Sequence, residues 1–472
     1  MTKKVVVIGS GVGGSAAAAL LEKEGYDVTL IESNPFPGGR CASINRDGFI
    51  YDFGVHMFSR GDKGPHGEVN RKLGGNLKWI TKDPSCRVMG KMDFDFPLNI
   101  KPLSRQIYLA RKLRVKFKNI PGIFMLLRSM MKGKVFAKND NVSLYDYISR
   151  YTDDENIHLF INCICQLYFA LSYLESSASE FIWSFSRMFD ESSFGYPKGG
   201  GGSIPGSFLS GLEKYGGKIK FGETVQAVKI QNGIVEGVQT DKNFYPADIV
   251  ISNCGISRTI DLAGKDNFPD KYRKTADNYT YSNAYVTIKY ALDHPVVPYP
   301  VVFYMPDMPP RNIFSYINER RAPEEPYIFM PVPSNIDPEL APPGKQLVIA
   351  GTAAPTGASN ELCNKILDKI HERVIKLFPE IEKASIWQIR STASDTTGIT
   401  RHAAGEAIGI GQTPDQVGKL RPKFETPVKG LYLVGSDAGA RGIGTEIASG
   451  SALGLFELLT LTSKNKAAFP AL

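Results

Sequence analysis

Residues 4–14, KVVVIGSGVGG, decide the fold of this 472-residue chain. The first six form a continuous β-branched run that ends at a glycine, which is typical of a buried parallel strand. The alanine-rich stretch from Ser15 to Lys23 predicts a helix that can approach a sheet closely, with Gly25 as its stop. Residues 27–32, DVTLIE, predict a second strand. The N-terminal segment is therefore predicted to be a βαβ unit.

The glycines of this unit satisfy the G-x-G-x-x-G pattern, and the pattern closes a strand and opens a helix. Gly9 permits the tight turn, Gly11 lets a pyrophosphate approach the backbone, and Gly14 lets the helix pack closely. The start of the helix offers free amides and a partial positive charge to phosphates. Glu32 stands 18 residues after Gly14, where its carboxylate can accept hydrogen bonds from ribose hydroxyls. We predict a dinucleotide site whose loop comprises Gly9, Gly11, Val12, Gly13 and Gly14.

The segment after the second predicted strand indicates which dinucleotide binds. Residues 33–40, SNPFPGGR, resemble the G-G-R element of FAD-binding oxidoreductases, a family that includes the amine oxidases and the phytoene desaturases. The resemblance implies that Gly38 and Gly39 pass close to the ribityl–pyrophosphate stem of the flavin. It also implies that Arg40 supplies a fixed, forked cation to phosphate. Nicotinamide dehydrogenases lack this element, so FAD is the predicted cofactor, with Ser33 also assigned to its site.

Two further segments resemble the same family. Residues 222–229, GETVQAVK, resemble the strand on which a backbone group, here near Val225, meets adenine. Residues 430–454, GLYLVGSDAGARGIGTEIASGSALG, resemble the closing flavin motif. That resemblance implies that Asp437 binds ribityl hydroxyls and that a helix beginning near Thr445 points its positive end at the flavin. It assigns to the cofactor Val225, Gly435, Asp437, Gly444, Thr445 and Glu446.

One position departs from many relatives, which place the acid directly after the glycine of the closing motif. Here Ser436 stands between Gly435 and Asp437, an arrangement similar to that of retinol saturase-like members. The four elements otherwise follow the family order along the whole chain. The chain therefore resembles the phytoene desaturase-like branch, near the carotenoid isomerases and retinol saturases.

The resemblance implies an α/β fold, in which a Rossmann-like FAD-binding domain of the glutathione reductase/amine oxidase type carries an inserted mixed α+β substrate domain. Strands that end in glycine bracket the chain and favour a domain assembled from separated segments. The expected FAD-binding domain comprises residues 1–95, 195–258 and 400–465, and the expected substrate-binding domain comprises residues 96–194 and 259–399. Residues 101–190 are predicted to be mostly helical. The proline-rich residues 295–343 predict edge strands and loops.

The candidate for the reacting site is His56, within YDFGVHMFSRG at residues 51–61. This stretch resembles the D-x-G-x-H element of the saturases and isomerases, which implies a position near the flavin ring. A histidine suits proton delivery near neutral pH. The alternative is a histidine that holds a loop by a hydrogen bond. Aromatic residues between 168 and 189 are interpreted either as the lining of an apolar substrate pocket or as ordinary core.

Residues 101–138 hold eleven Lys and Arg side chains and no Asp or Glu. Without these eleven, the formal net charge of the chain falls from +8 to −3. The apolar stretch 121–131 lies among them and is too short to span a bilayer, a combination that favours a peripheral membrane contact. The alternatives are a solvated basic helix and an anion site for a phosphorylated or CoA-linked substrate. Nucleic-acid binding is disfavoured because no recognised motif accompanies the charge.

The predicted function is FAD-dependent oxidoreduction at C–C or C=C bonds of a hydrophobic isoprenoid or carotenoid-like substrate. The alternatives are a flavin amine oxidase and a non-enzymatic, prenyl-binding scaffold like the GDP dissociation inhibitors. No apolar run of the length of a transmembrane helix occurs, and six irregularly spaced cysteines predict neither a disulfide framework nor a metal site. We expect a cytoplasmic protein with peripheral membrane contact. The direction of reaction, the electron partner and the oligomeric state stay open.

Overall fold

The computed structural model describes residues 2–54, 58–131, 136–191, 194–402, 404–439 and 441–468. Its strands are β1 Lys4–Ile8, β2 Asp27–Ile31, β3 Ser43–Arg46, β4 Phe49–Asp52, β5 Trp79–Ile80, β6 Cys86–Gly90, β7 Phe94–Phe96, β8 Tyr196–Pro197, β9 Lys218–Lys220, β10 Val225–Gln231, β11 Ile234–Thr240, β12 Phe244–Pro246, β13 Ile249–Ser252, β14 Ala284–Leu292, β15 Val301–Met305, β16 Ile328–Pro331, β17 Gln346–Ala354, β18 Ser385–Ser391 and β19 Leu431–Leu433.

The helices alternate with these strands along the chain. They are α1 Val12–Lys23, α2 Pro65–Leu73, α3 Leu103–Lys112, α4 Ile120–Met131, α5 Leu144–Ser149, α6 Glu155–Phe169, α7 Ala178–Glu191, α8 Ser203–Lys214, α9 Ile256–Ala263, α10 Asp270–Asp277, α11 Ser315–Asn318, α12 Pro333–Ile336, α13 Asn360–Leu377, α14 Glu380–Ala384, α15 Ala393–Thr400 and α16 Gly444–Ala468.

The first large sheet is five-stranded and parallel, with the order β19-β13-β1-β2-β9. The strands come from widely separated parts of the chain, as predicted. Their central members are buried on both faces, which explains the unbroken Val/Ile runs of β1 and β13. Helix α1 presents Ala16, Ala17, Ala18 and Ala19, all fully buried, and packs against both α8 and α16. The small side chains let three elements meet closely at the start of the chain.

A small antiparallel sheet, β10-β11-β12, adjoins the parallel one. The turn between β10 and β11 is at Asn232 and Gly233, both of which have positive φ. The start of β10 lies beside the carboxyl end of β2, where the backbone N of Glu223 donates to the carbonyl oxygen of Glu32 at 3.0 Å.

The second large sheet has seven strands in the order β18-β14-β17-β16-β15-β6-β7. The prediction of edge strands within residues 295–343 is wrong, because β15 and β16 lie in the interior of this sheet and every residue in them is buried. Prolines such as Pro300 and Pro306 stand just outside β15, and Pro331 is the last residue of β16. Proline interrupts a sheet only where its missing N–H is needed, so prolines at strand ends are compatible with central strands.

Helices α3 and α6 contribute to the apolar core of the second sheet, and α4, α5, α6 and α7 share a separate apolar cluster. These helices confirm the mostly helical prediction for residues 101–190. The domain boundaries stay predictions. All six cysteines are free, and five of them are buried. Within the described ranges, none of the helices combines the length and the apolar character needed to cross a bilayer.

Candidate cofactor cleft and apolar cavity

A cleft of about 290 Å³ opens at the carboxyl ends of the parallel strands. The segments that follow β1, β2, β13 and β19 all contribute to its wall, because parallel strands end at the same edge of a sheet. The structure thus collects sequence elements more than 400 positions apart. The residues predicted for the cofactor that line this one cleft are Gly9, Gly11, Val12, Gly13, Glu32, Ser33, Gly38, Gly39, Arg40, Val225, Gly435, Asp437, Gly444, Thr445 and Glu446.

Gly14 is the predicted cofactor residue that does not line the cleft. A Cβ atom on Gly14 would overlap the carbonyl oxygen of Gly9, so this glycine holds α1 against the preceding loop. A Cβ on Gly13 would lie 2.8 Å from the backbone nitrogen of Gly435, and one on Gly11 would lie 2.6 Å from Nδ2 of Asn253. The loop is therefore packed on one side by backbone and by Asn253, which leaves its other side open to the cleft.

Glu32 is buried at the end of β2 and hydrogen-bonds to the glycine loop that follows β1. Its Oε2 accepts hydrogen bonds from the backbone N and from Oγ of Ser10, both at 2.8 Å. Its Oε1 accepts from the backbone N and Nδ2 of Asn34 at 2.8 and 2.9 Å. The carboxylate thus ties the glycine loop to the segment leading toward Arg40, at the place predicted for ribose recognition. Its contact with the ribose stays a prediction.

Arg40 is paired within the protein, a feature that the sequence analysis did not anticipate. Its guanidinium forms an ion pair with Glu406, donates to the carbonyl oxygen of Ile408 at 2.8 Å and lies 3.2 Å from Nδ1 of His402. Its Nε is buried and has no hydrogen-bond partner among the described residues. Burial alone would raise the pKa of Glu406, but the charge of Arg40 and the contact with His402 bring that pKa below its ordinary value. Phosphate recognition by Arg40 stays a prediction.

The closing motif is built around Gly435, which has φ of +105° and donates its backbone N–H to Oγ of Ser451 at 2.8 Å. Asp437 does not present a free carboxylate, since its oxygens accept from the backbone nitrogens of Ile256 and Ile410 at 3.2 and 3.0 Å. The predicted ribityl contact of Asp437 is untested by this arrangement. What the geometry does establish is that Asp437 joins three loops that border the cleft.

The start of α16 is braced by a histidine that the sequence analysis missed. His66 on α2 is fully buried and hydrogen-bonds with Oγ of Ser449 at 2.8 Å and with Oγ1 of Thr445 at 3.1 Å. Burial, together with the nearby charge of Arg60, lowers the pKa of His66 to about 3, so its ring is neutral at physiological pH. His66 therefore positions α16 without adding charge to the cleft.

The open start of α1 and the tightly packed glycine loop both fit a dinucleotide such as FAD. The N-cap of α1 is Gly11, which has no side-chain cap, and the first turn contains no acidic residue, so the positive end of this helix is available to phosphate. The Cβ-free loop leaves space for close approach of a pyrophosphate. The wall also includes Asn253, Cys254 and Arg258, which follow β13. The signal for Asn253 and Cys254 in the sequence is their position directly after a buried strand, whereas Arg258 lies in α9.

A second, apolar cavity of about 380 Å³ lies beside the cleft, between helices α3, α4, α6 and α7 and strand β6. Tyr168 lines both cavities, so they share a wall. The predicted aromatic pocket is partly present here. Its members in the wall are Tyr168, Phe169, Phe181, Phe185 and Phe189, whereas Tyr173 and Trp183 do not line it. The proposed catalytic His56 lies outside the described residues.

A parallel sheet with a glycine loop, an acid at the end of β2 and a second closing loop defines the class of dinucleotide-binding oxidoreductases. The chain belongs to the flavin-containing amine oxidoreductase family, which matches residues 12–452. It is an FAD-dependent oxidoreductase, and the predictions of fold class, enzyme class and cofactor are confirmed.

Individual relatives agree with the predicted branch. The chain is 25% identical over 467 residues to a zeta-carotene-forming phytoene desaturase from Myxococcus xanthus, covering 92% of this chain and 89% of the relative. It is 26% identical over 483 residues to a chloroplastic prolycopene isomerase from Daucus carota, covering 91% of this chain and 75% of the relative. The crystal structure of an oxidoreductase from Methanosarcina mazei has a TM-score of 0.74 at 24% identity, covering 96% of this chain and all of that one, and shows the same fold.

Proposed function

We propose that this enzyme acts on C–C or C=C bonds of a hydrophobic, carotenoid-like polyene, by desaturation, saturation or isomerisation. The observation that carries the proposal is the apolar cavity, which shares Tyr168 with the cofactor cleft. A substrate in the apolar cavity would lie next to a cofactor in the cleft, with the Tyr168 side chain at the boundary between them. The names of the relatives, a phytoene desaturase and a prolycopene isomerase, support the same substrate class.

The composition of the cavity wall supports a polyene over an amine. Among the described residues that line the apolar cavity, Lys101 is the one charged residue, and the wall contains no Asp, Glu or His. An ammonium substrate would need a carboxylate or an aromatic cage to offset its desolvation. An uncharged hydrocarbon needs only apolar contact and exclusion of water, which the Phe, Leu, Ile and Met side chains of the wall supply.

The chemistry requires little from the side chains. Bound FAD supplies the two-electron redox capacity. The protein holds a substrate carbon close to the cofactor, keeps water away and provides a group that exchanges a proton. Tyr168 is placed for the first task, because this half-buried side chain lines both cavities.

An anaerobic absorbance experiment tests the proposal. Purified holoenzyme is mixed with phytoene or prolycopene in liposomes, in the oxidised and in the reduced state, and putrescine serves as the amine comparison. Bleaching of oxidised FAD by the polyene indicates desaturation. Return of the oxidised spectrum after addition of polyene to reduced enzyme indicates saturation. A polyene shift with FAD still reduced indicates isomerisation. Bleaching by the amine, with no response to either polyene, would overturn the proposal.

We also propose that α3, α4 and the loop between them contact an anionic membrane surface. Helix α3 has no buried residue, and the loop and α4 expose large apolar side chains, including Phe117 at 88% and Phe124 at 61%. Arg105 and Lys118 already pair with acidic side chains, whereas the neighbouring cations add to a positive field around the apolar patch. The same helices line the apolar cavity, so docking would bring its wall next to lipid.

The double substitution Phe117→Ser/Phe124→Ser is expected to weaken binding to vesicles of phosphatidylcholine and phosphatidylglycerol by about tenfold or more. Inserting one phenylalanine side chain into an apolar phase contributes about 1.5–3 kcal/mol, and 1.4 kcal/mol corresponds to about tenfold. Co-sedimentation measures the binding. The matched control is Phe244→Ser on β12, which removes a phenylalanine that is 47% exposed from the small antiparallel sheet, away from α3 and α4 in the chain. Equal binding by the double variant and the control would refute the membrane contact.

A further inference from the structure

Glu446 has an unusual hydrogen-bonding pattern for a buried acid. It lies in the first turn of α16 and is 3% exposed. Its Oε1 accepts from Oγ of Ser59 at 2.7 Å and from the backbone N of Arg60 at 3.0 Å. Its Oε2 is buried and has no hydrogen-bond partner among the described residues. One oxygen is thus anchored, while the other is left available for a proton or a ligand.

The position of this carboxyl is at the junction of the two cavities. Glu446 lines the cofactor cleft, and Ser59, which donates to it, lines the apolar cavity. Tyr168 lines both. A group at this junction can reach toward a substrate in one cavity and respond to the charge of a cofactor in the other.

The charged and titratable groups around Glu446 come from α2, the segment before it, α6 and α7. The charge of Arg60, which precedes α2, lowers the pKa of Glu446, whereas Glu191 at the end of α7 raises the pKa of Glu446. The charge of Glu446 in turn contributes to the raised pKa of Tyr168 on α6. His66 on α2 is neutral and hydrogen-bonds the adjacent Thr445. Burial is the largest influence, and the pKa of Glu446 is raised above its ordinary value.

We propose that Glu446 carries the proton that is exchanged with the substrate during the redox reaction. This inference rests on the proposed function. In the desaturation direction, one substrate C–H bond gives a hydride, which takes two electrons to oxidised FAD. The neighbouring C–H bond gives a proton to the Glu446 carboxylate, and the electron pair left on carbon forms the C=C bond. In saturation the same carboxyl returns the proton to carbon while hydride arrives from reduced FAD.

The first test needs no polyene. Holoenzyme is reduced photochemically without oxygen in weakly buffered solution, and a pH-indicator dye counts protons taken up per FAD. Two electrons add negative charge to the cleft and favour protonation of a carboxyl that lines it. Because burial raises the pKa of Glu446, the wild type is expected to take up more protons than Glu446→Gln over a series of pH values above the ordinary carboxyl range, with a largest difference approaching about one proton per FAD.

Two variants keep the outcome interpretable. Glutamine preserves a carbonyl oxygen for Ser59 and for the Arg60 amide, so folding and FAD content are expected to persist. The control is Glu180→Gln, which alters another buried acid, one that pairs with Arg441 and does not line the cleft. Glu180→Gln should take up as many protons as the wild type. Equal uptake by Glu446→Gln and wild type across the whole pH range would overturn the assignment.

The second test separates the inference from the proposed function. With phytoene or prolycopene, Glu446→Gln should slow the half-reaction by about 100-fold or more, the usual effect of losing a general acid or base. Glu446→Asp should recover part of that loss and shift the pH profile. A polyene that reacts equally fast with Glu446→Gln would refute the role of Glu446. Failure of every polyene with the wild type, while the proton-uptake difference persists, would refute the proposed substrate class instead.

Discussion

Replacing Gly14 by alanine is expected to produce a protein that retains almost no FAD and that is destabilised by about 3 kcal/mol, the upper part of the range for overpacked sites. The added methyl group would overlap the carbonyl oxygen of Gly9, which belongs to the backbone and cannot rotate away. Helix α1 must then move away from the glycine loop that is predicted to bind the phosphates, and its contacts with α8 and α16 loosen with it. Flavin absorbance per protein after reconstitution and a urea unfolding curve measure the two effects.

Gly206→Ala is the matched control for this substitution. Gly206 lies inside α8, and a Cβ there would meet no atom within 4 Å. Alanine is favoured over glycine in a helix by about 0.5–1 kcal/mol, so this variant should be slightly stabilised and should retain FAD. If Gly14→Ala behaved like Gly206→Ala, the tight packing of α1 on the glycine loop would not be what holds the cleft together.

Arg40→Ala is expected to cost about 3–5 kcal/mol of stability, because it removes one partner of a buried ion pair. Glu406 is 1% exposed and would be left beside His402 with a charge that Arg40 no longer compensates. The loop containing Ile408, which Arg40 also holds, borders the cleft, so FAD affinity should fall as well. Urea unfolding and flavin titration measure these losses. Arg40→Lys keeps the charge without the fork and should lose less.

The deficit of Arg40→Ala should depend on pH. The pKa of Glu406 is lowered in the folded wild type, so the pair contributes stability above the ordinary carboxyl range near pH 4.5, and this contribution is lost as the pH falls through the folded value. Without Arg40, burial of Glu406 favours its protonated form. The difference in unfolding free energy between the wild type and Arg40→Ala should therefore become smaller as the pH falls. A difference that stayed constant from neutral pH to about pH 4 would mean that the lost stability comes from packing.

Much of the cleft was predictable because its requirements are local. Three elements lie within 40 consecutive residues: the glycines of the first loop, Glu32 at the end of β2 and the G-G-R element. The glycines let the backbone turn, and Glu32 accepts hydrogen bonds from backbone N–H groups. The same holds for Gly435, which has positive φ at a strand end. These features depend on backbone geometry, which short patterns encode directly.

The partners of those residues were not predictable in the same way. Asn253 packs under the glycine loop, His66 supports Thr445, and Glu406 neutralises Arg40 across 366 positions of sequence. A lone asparagine, histidine or glutamate has no local pattern that names its partner. The proline-rich segment was misread for a related reason, since prolines predict where a strand ends but not whether its neighbours cover both sides.

The βαβ unit, the dinucleotide loop, the FAD family and the basic, apolar segment follow from the sequence alone, because each depends on residues close together in the chain. Long-range packing pairs Arg40 with Glu406 and puts Tyr168 in the walls of both the cleft and the apolar cavity. It also buries Oε2 of Glu446 without a hydrogen-bond partner among the described residues. Burial, pairing and the juncture of two cavities arise when distant segments pack, and the free energy of a charge depends on that packing.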